Sequence, residues 1–215
     1  MISQEKTLLA LSRMQAMFPN AQGELEYQTP FQLLIAVILS AQATDVSVNK
    51  VTPALFAAFP DATSLSQASE AAISEKIKSI GLYRTKAKNI KRCAQQLLTE
   101  FNGEIPRTHQ ELMTLAGVGK KTANVVLGDA FNIPGIAVDT HVERIAKRLR
   151  ICKLDANVTE VEKTLMRKIP QELWIDAHHT MILFGRYHCT ARNPQCSACP
   201  LLDLCQEGKQ RLKNK

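Results

Sequence analysis

Four of the six cysteines crowd toward the C-terminus as C-x6-C-x2-C-x5-C: Cys189, Cys196, Cys199 and Cys205, all within seventeen residues. In a chain that opens without a secretory signal, thiols so close together point to a metal rather than to two disulfides. The segment TARNPQCSACPLLDLC is nearly all connection, so ligation must supply much of its folding energy. Four thiolates suit tetrahedral zinc as well as a [4Fe-4S] cube. Zinc sites usually show two C-x2-C knuckles and this run has one, so the spacing favours iron-sulfur. His178, His179 and His188 lie nearby, but four thiolates already complete a site, and a core or surface role is expected for them. Cys93 and Cys152 stand alone and are expected to be buried structural thiols.

A second chemistry-bearing stretch is Leu115-Ala116-Gly117-Val118-Gly119-Lys120-Lys121-Thr122-Ala123. Two glycines separate a short helix from the start of another. Outward-facing amides and the positive end of the helix dipole make a phosphate site that needs no side chain, and glycine lets a nucleic-acid backbone come close. Gly-Val-Gly alone is an ordinary turn. With a capped helix before it and K-K-T-A-N after it, it reads as a helix-hairpin-helix module. Lys120 and Lys121 occupy a first helical turn, an unfavourable place for cations unless they have work there. Asp139 reads as an N-cap for the helix that follows it.

These groups must be positioned by helices. Gly, Pro, Asn and Ser punctuate a sequence without any run of alternating β-branched residues long enough for a sheet, so the fold is expected to be all-α. The spacing predicts helices over about 3–17, from Thr29-Pro30 to Ala41, after Asp45 with a restart at Pro53, and over Ser69–Ser79. A further helix carries Ile90, Cys93, Ala94, Leu97, Leu98 and Phe101 on one face and stops at Asn102-Gly103. Capping patterns Thr108/Glu111, Thr140/Glu143 and Thr159/Glu162 open three more, and Lys120–Phe131 and Glu172–His188 complete the set. Asp45 reads as a cap rather than a catalyst. No repeat, low-complexity tract or flexible linker appears, so any second lobe is expected to share its core with the first.

The chain has 215 residues, 45% hydrophobic and 22% charged, with a net charge of +7. These values suit a globular protein of one or two small lobes. The longest apolar stretch, Phe31 to Ala41, is about half the roughly 20 residues of a membrane span, so no membrane partner is expected. The N-terminus alternates apolar and polar residues and carries Glu5 beside Lys6, which reads as a mature amphipathic helix of a cytosolic protein. From Lys76 to Arg92 there are seven basic residues and no acidic one. Lys120, Lys121, Arg144, Lys147, Arg148 and Arg150 form a second cluster. Such clusters fit a polyanion, and equally a solvated helix face.

Taken together, L-A-G-V-G-K-K-T-A-N-V-V, V-D-T-H at 138 to 141 and the cysteine run resemble the endonuclease III family of the helix-hairpin-helix superfamily. L-S-A-Q-A-T-D at 39 to 45, G-L-Y at 81 to 83 and H-H-x-x-I-L-x-G-R-Y at 178 to 187 extend the similarity over nearly the whole chain, in order. The resemblance implies two helical lobes with a DNA cleft between them: a six-helix barrel with the hairpin over 23–134, and a helical cluster-bearing domain from 1–22 and 135–215. It implies a base excision repair DNA glycosylase and AP lyase, a monomer in the bacterial cytoplasm associated with the nucleoid. It also implies a [4Fe-4S] cluster on the four cysteines and, as substrate, duplex DNA containing oxidised pyrimidines or abasic sites.

By the same resemblance Lys121 attacks C1′ of the damaged nucleotide, expels the base and forms a Schiff base, and β-elimination then cuts the strand on the 3′ side. An amine suits this because the imine acts as an electron sink, which water could not do. It must first shed its proton, and a neighbouring cation and a helix N-terminus both favour the neutral amine. Asp139 matches the family's aspartate, which helps activate the nucleophile and stabilises the oxocarbenium-like transition state. Gly117, Val118, Gly119 and Lys120 would hold the DNA backbone, Gln42 and Leu82 would fill the gap left by the extruded nucleotide, and His141 would contact DNA near the site. Without the resemblance, Leu82 reads equally well as a core leucine.

Two departures stand out. Ala116 precedes Gly117 where the family usually has proline, which removes a source of rigidity and keeps the hairpin amides. The loop Thr190–Gln195 carries only Arg192, so its phosphate contact is expected to be weaker. Rival readings are the related adenine-mismatch glycosylase, against which Lys121 and a chain ending at 215 both weigh, and a non-catalytic, metal-stabilised DNA-binding module.

Overall fold

The computed structural model describes residues 1–213, and these form helices and connections with no strand among them. The helices are α1 (Gln4–Met17), α2 (Pro30–Leu39), α3 (Asp45–Asn49), α4 (Thr52–Ala58), α5 (Ala62–Gln67), α6 (Glu70–Ile77), α7 (Tyr83–Glu100), α8 (His109–Leu112), α9 (Lys120–Phe131), α10 (Thr140–Arg148), α11 (Val158–Lys168), α12 (Trp174–Leu183) and α13 (Gln206–Lys213). Among these described residues, no helix is long and apolar enough to cross a membrane.

The chain divides into two compact units. One is Glu24–Ile133; the other joins Met1–Gly23 to the chain from Pro134 onward. Each has its own apolar core, contrary to the expectation of a shared one. The chain crosses from one unit to the other at 23–24 and again at 133–134, both within connections between helices.

The first unit is built around α2. Thr29 caps it, accepting from the Gln32 amide, with Pro30 at the first helical position. Every residue from Leu33 to Leu39 is buried, as befits a helix that is apolar all round. Helix α7 lays Ala87, Ile90, Cys93, Ala94 and Leu97 into the same core. In the second unit α10 contributes Val142, Ile145 and Ala146, α11 Val161 and Leu165, and α12 Ala177 and Met181.

Several helix starts differ from expectation. Thr44, not Asp45, caps α3, and Asn157 with Glu160 forms the capping box of α11 in place of Thr159 with Glu162. The polar residue that wins is the one just outside the first turn whose side chain reaches a free amide, and each neighbour is drawn into the helix instead. Helix α5, capped reciprocally by Asp61 and Ser64, was not expected at all. The long terminal helix is a 3-10 turn at Gln171–Leu173, then α12, then a π-helical turn Phe184–His188 leading into Cys189.

Candidate active site and metal centre

The hairpin lies between α8 and α9 in the first unit. Thr108 caps α8 by accepting from the Glu111 amide, and Leu112, Leu115 and Val118 anchor the turn in the core. Gly117 has φ +82°, and a β-carbon there would lie 2.9 Å from Ile38 Cγ2 and 3.2 Å from Asn89 Cβ. Both the left-handed backbone and the close approach of α2 and α7 demand glycine. Gly119 differs: its φ is −102°, and a β-carbon would meet nothing within 4 Å. The fold leaves that space open. Lys120 and Lys121 follow, exposed, in the first turn of α9, while Ala123 and Asn124 on the same helix are buried.

Gln42 (φ 53°) and Leu82 (φ 58°) are two of the non-glycine residues held in the left-handed region. Such backbone costs roughly 1–2 kcal/mol for an L-residue. Leu82 is 59% exposed, which rules out the core reading. An apolar side chain held in water on strained backbone is a feature to associate with function rather than with stability. Gln42 is likewise exposed.

In the second unit Asp139 is the N-cap of α10, a role the sequence had also offered to Thr140. Its Oδ1 accepts from the amides of His141 and Val142, both at 2.8 Å. His141 is half-buried, with Nδ1 3.0 Å from Arg144 Nη2. Lys121 belongs to the first unit and Asp139 to the second. Arg192 is exposed on the loop between the first two clustered cysteines.

Cys189, Cys196, Cys199 and Cys205 line one pocket, together with His188, Pro194, Gln195, Leu202 and Gly208. Cys93 and Cys152 are buried elsewhere, as expected.

A family model described as HhH-GPD superfamily base excision DNA repair protein matches residues 35–171, and one for the iron-sulfur binding domain of endonuclease III matches 189–205. The chain is 50% identical to endonuclease III of Bacillus subtilis, over 99% of this chain and 97% of that protein. It is 44% identical to endonuclease III of Escherichia coli K12, over 95% and 97%. A solved structure of a trapped endonuclease III-DNA covalent intermediate superposes with a TM-score of 0.96 at 53% identity, covering 99% of this chain and 100% of that one. The chain belongs to the endonuclease III family. It is an enzyme of base excision repair, a DNA glycosylase with AP lyase activity.

The cofactor of an endonuclease III is a [4Fe-4S] cluster, and the residues present fit it. Among the described residues no three His, Cys, Asp or Glu side chains group as ligands of a single ion would. The four thiols nevertheless open on one pocket, which suits a cluster whose thiolates sit on separate irons. Two sulfurs already accept hydrogen bonds, Cys189 Sγ from Arg148 Nη1 and Cys205 Sγ from the Gly208 amide, each at 3.3 Å. Such bonds favour the thiolate form. Burial pushes the Cys199 thiol up to about 11, so ligation at this residue would be coupled to release of its proton. His188 lines the pocket with a buried Nε2 that has no protein partner.

Arg148 was missed as a site residue and counted instead in a DNA-facing charge cluster. It is 9% exposed. Its guanidinium donates to the carbonyls of Thr190 at 2.7 Å and Ala191 at 2.8 Å and pairs with Glu207 at 3.1 Å, besides its bond to Cys189 Sγ. Arg144 similarly binds the carbonyls of Gly185 and Cys189. The signal was available: Val142, Ile145, Ala146 and Leu149 define the inward stripe of α10, and Arg148 sits three residues after Ile145 on that face.

Gly119→Ala is expected to leave thermal unfolding unchanged and to weaken DNA binding, whereas Gly117→Ala should lower the unfolding midpoint as well; calorimetry and fluorescence anisotropy separate them. Arg148→Leu should cost about 3 kcal/mol or more of stability and speed loss of the cluster's visible absorbance in the presence of a chelator.

Proposed function

We propose that this enzyme removes oxidised pyrimidines from duplex DNA and cleaves the resulting abasic sites, acting as a monomer on the bacterial nucleoid, with Lys121 as nucleophile and Asp139 as its acidic partner. The observation that carries the reading is the placement of Lys121: exposed, in the first turn of a helix that begins directly after a glycine whose side-chain space is open. A helix start gathers amides that have no carbonyl within the helix, so a phosphate held there brings the deoxyribose to that turn.

The Lys121 Nζ lone pair attacks C1′, and the bond from C1′ to the base nitrogen breaks, the base leaving with a proton. Loss of the amine proton and opening of the sugar ring give the imine. Removal of a C2′ proton then sends an electron pair toward the iminium, and the 3′ phosphate departs. The Asp139 carboxylate stabilises the positive charge that develops on the sugar. Gln42 and Leu82 would fill the space left by the extruded nucleotide, at the energetic cost of unstacking. His141 and Arg192 would add contacts to the DNA. The cluster, when bound on Cys189, Cys196, Cys199 and Cys205, would supply iron-thiolate ligation that ties down a loop with little regular structure of its own. That the similar solved endonuclease III was trapped covalently on DNA supports the imine route.

With borohydride, the wild type should become linked to duplex DNA bearing an abasic site and Lys121→Ala should not; an alanine variant that still cross-links would remove Lys121 from its role. Asp139→Asn retains a side chain that can cap α10 and loses the charge. It should fold normally while base release falls by about 10²-fold, measured in single turnover. Comparing duplexes with an oxidised pyrimidine against an adenine mismatch tests the substrate class: release of the mispaired adenine alone would favour the adenine-glycosylase reading.

A further inference from the structure

Gln96 lies on α7, outside the hairpin, yet its side-chain amide reaches the backbone on the approach to the turn. Its Oε1 accepts from the Ala116 amide at 2.8 Å and its Nε2 donates to the Thr114 carbonyl at 3.0 Å. A backbone N–H can only donate and a carbonyl only accept, so the orientation of the amide is determined by its partners. One planar group thus holds a donor and an acceptor two residues apart, immediately before Gly117. The partners are 20 and 18 residues away in sequence, so these bonds tie α7 to the hairpin and are not part of a local turn.

The donor at 116 exists because the residue is alanine. Proline has no N–H, and it stiffens the chain through its ring instead. A second side-chain tie, between His109 Nε2 and Asn124 Oδ1, joins α8 to α9 across the same turn. The hairpin is therefore gripped from α7 and across its own two helices.

We propose that Gln96 is a positioning residue: by clamping Thr114 and Ala116 it holds the Gly117–Gly119 turn, and with it the first turn of α9, in the geometry that receives DNA. The inference rests on the reading of the hairpin as the DNA-backbone site. A turn that samples other conformers binds in proportion to the fraction that is competent. Contact with DNA re-forms the turn once bound, so loss of the clamp acts on KM and not on the chemical step at saturation.

The test compares wild type, Gln96→Leu, Ala116→Pro and the double variant. Affinity is measured at 25 °C, well below unfolding, on duplex DNA carrying a non-cleavable tetrahydrofuran abasic analogue, and single-turnover strand cleavage on saturating abasic duplex. Gln96→Leu should raise Kd about 3- to 10-fold and change the saturated rate less than about twofold. In the Ala116→Pro background the same substitution should change Kd less than about twofold, because the ring makes the clamp redundant. Unchanged affinity in Gln96→Leu, or an equal loss in both backgrounds, overturns the proposal, and a lowered unfolding temperature alone does not support it. If Gly119→Ala loses affinity and Gln96→Leu does not, the clamp is wrong and the hairpin reading stands. If neither loses affinity, the hairpin reading fails and the clamp with it.

Discussion

A β-carbon on residue 117 would force the helices around it to shift. It would meet Ile38 from α2 at 2.9 Å and crowd Asn89 from α7 at 3.2 Å, on a backbone that only glycine adopts without cost. Because the turn is pressed so tightly against two core helices, the start of α9 has its place dictated by the packing of the whole first unit. Leu115 and Val118 flank the turn as buried pegs. An exposed, functional surface is thereby fastened directly to a close-packed core, which is how a loop acquires the precision that catalysis demands.

The basic residues divide by the same logic of burial. Arg148 and Arg144 spend their donors on carbonyls of the cysteine loop and the π-helical turn, and a guanidinium can do this because it offers five fixed donors. Lys86, 4% exposed, is withdrawn into the first unit. The net charge of +7 therefore overstates the charge available to a polyanion. What remains exposed includes Lys120 and Lys121, beside the open space at Gly119. The cluster loop is held by Arg148 and would be held by thiolate ligation as well, since its only regular element is the 3-10 turn Cys196–Ala198.

Strain is placed with similar economy. Gln42 follows the end of α2 and Leu82 precedes α7, the two helices that also confine Gly117. Left-handed backbone at these points turns exposed side chains outward from elements whose other faces are immobile in the core. The unfavourable local conformations are sustained by packing that neither residue itself contributes.

Most of the fold was legible because its signals are local. Thr29-Pro30, Ser69 and Thr108 open helices and Asn132 closes one through bonds that reach only a few residues along the chain, and the cysteine spacing marks the metal loop within seventeen residues. Within that range the sequence even offered Asp139 as a cap; its error at Thr159 came from two overlapping capping patterns of similar local merit, Asn157/Glu160 and Thr159/Glu162. What only the tertiary structure decided depends on distant partners. The exposure of Leu82 and the grip of Gln96 on Ala116 have no signature within a helical turn, and the stripe of α10 that turns Arg148 inward does not reveal its partners, which lie on a loop more than forty residues away. Local hydrogen bonding determines where helices begin, but only packing determines which of their faces meet water.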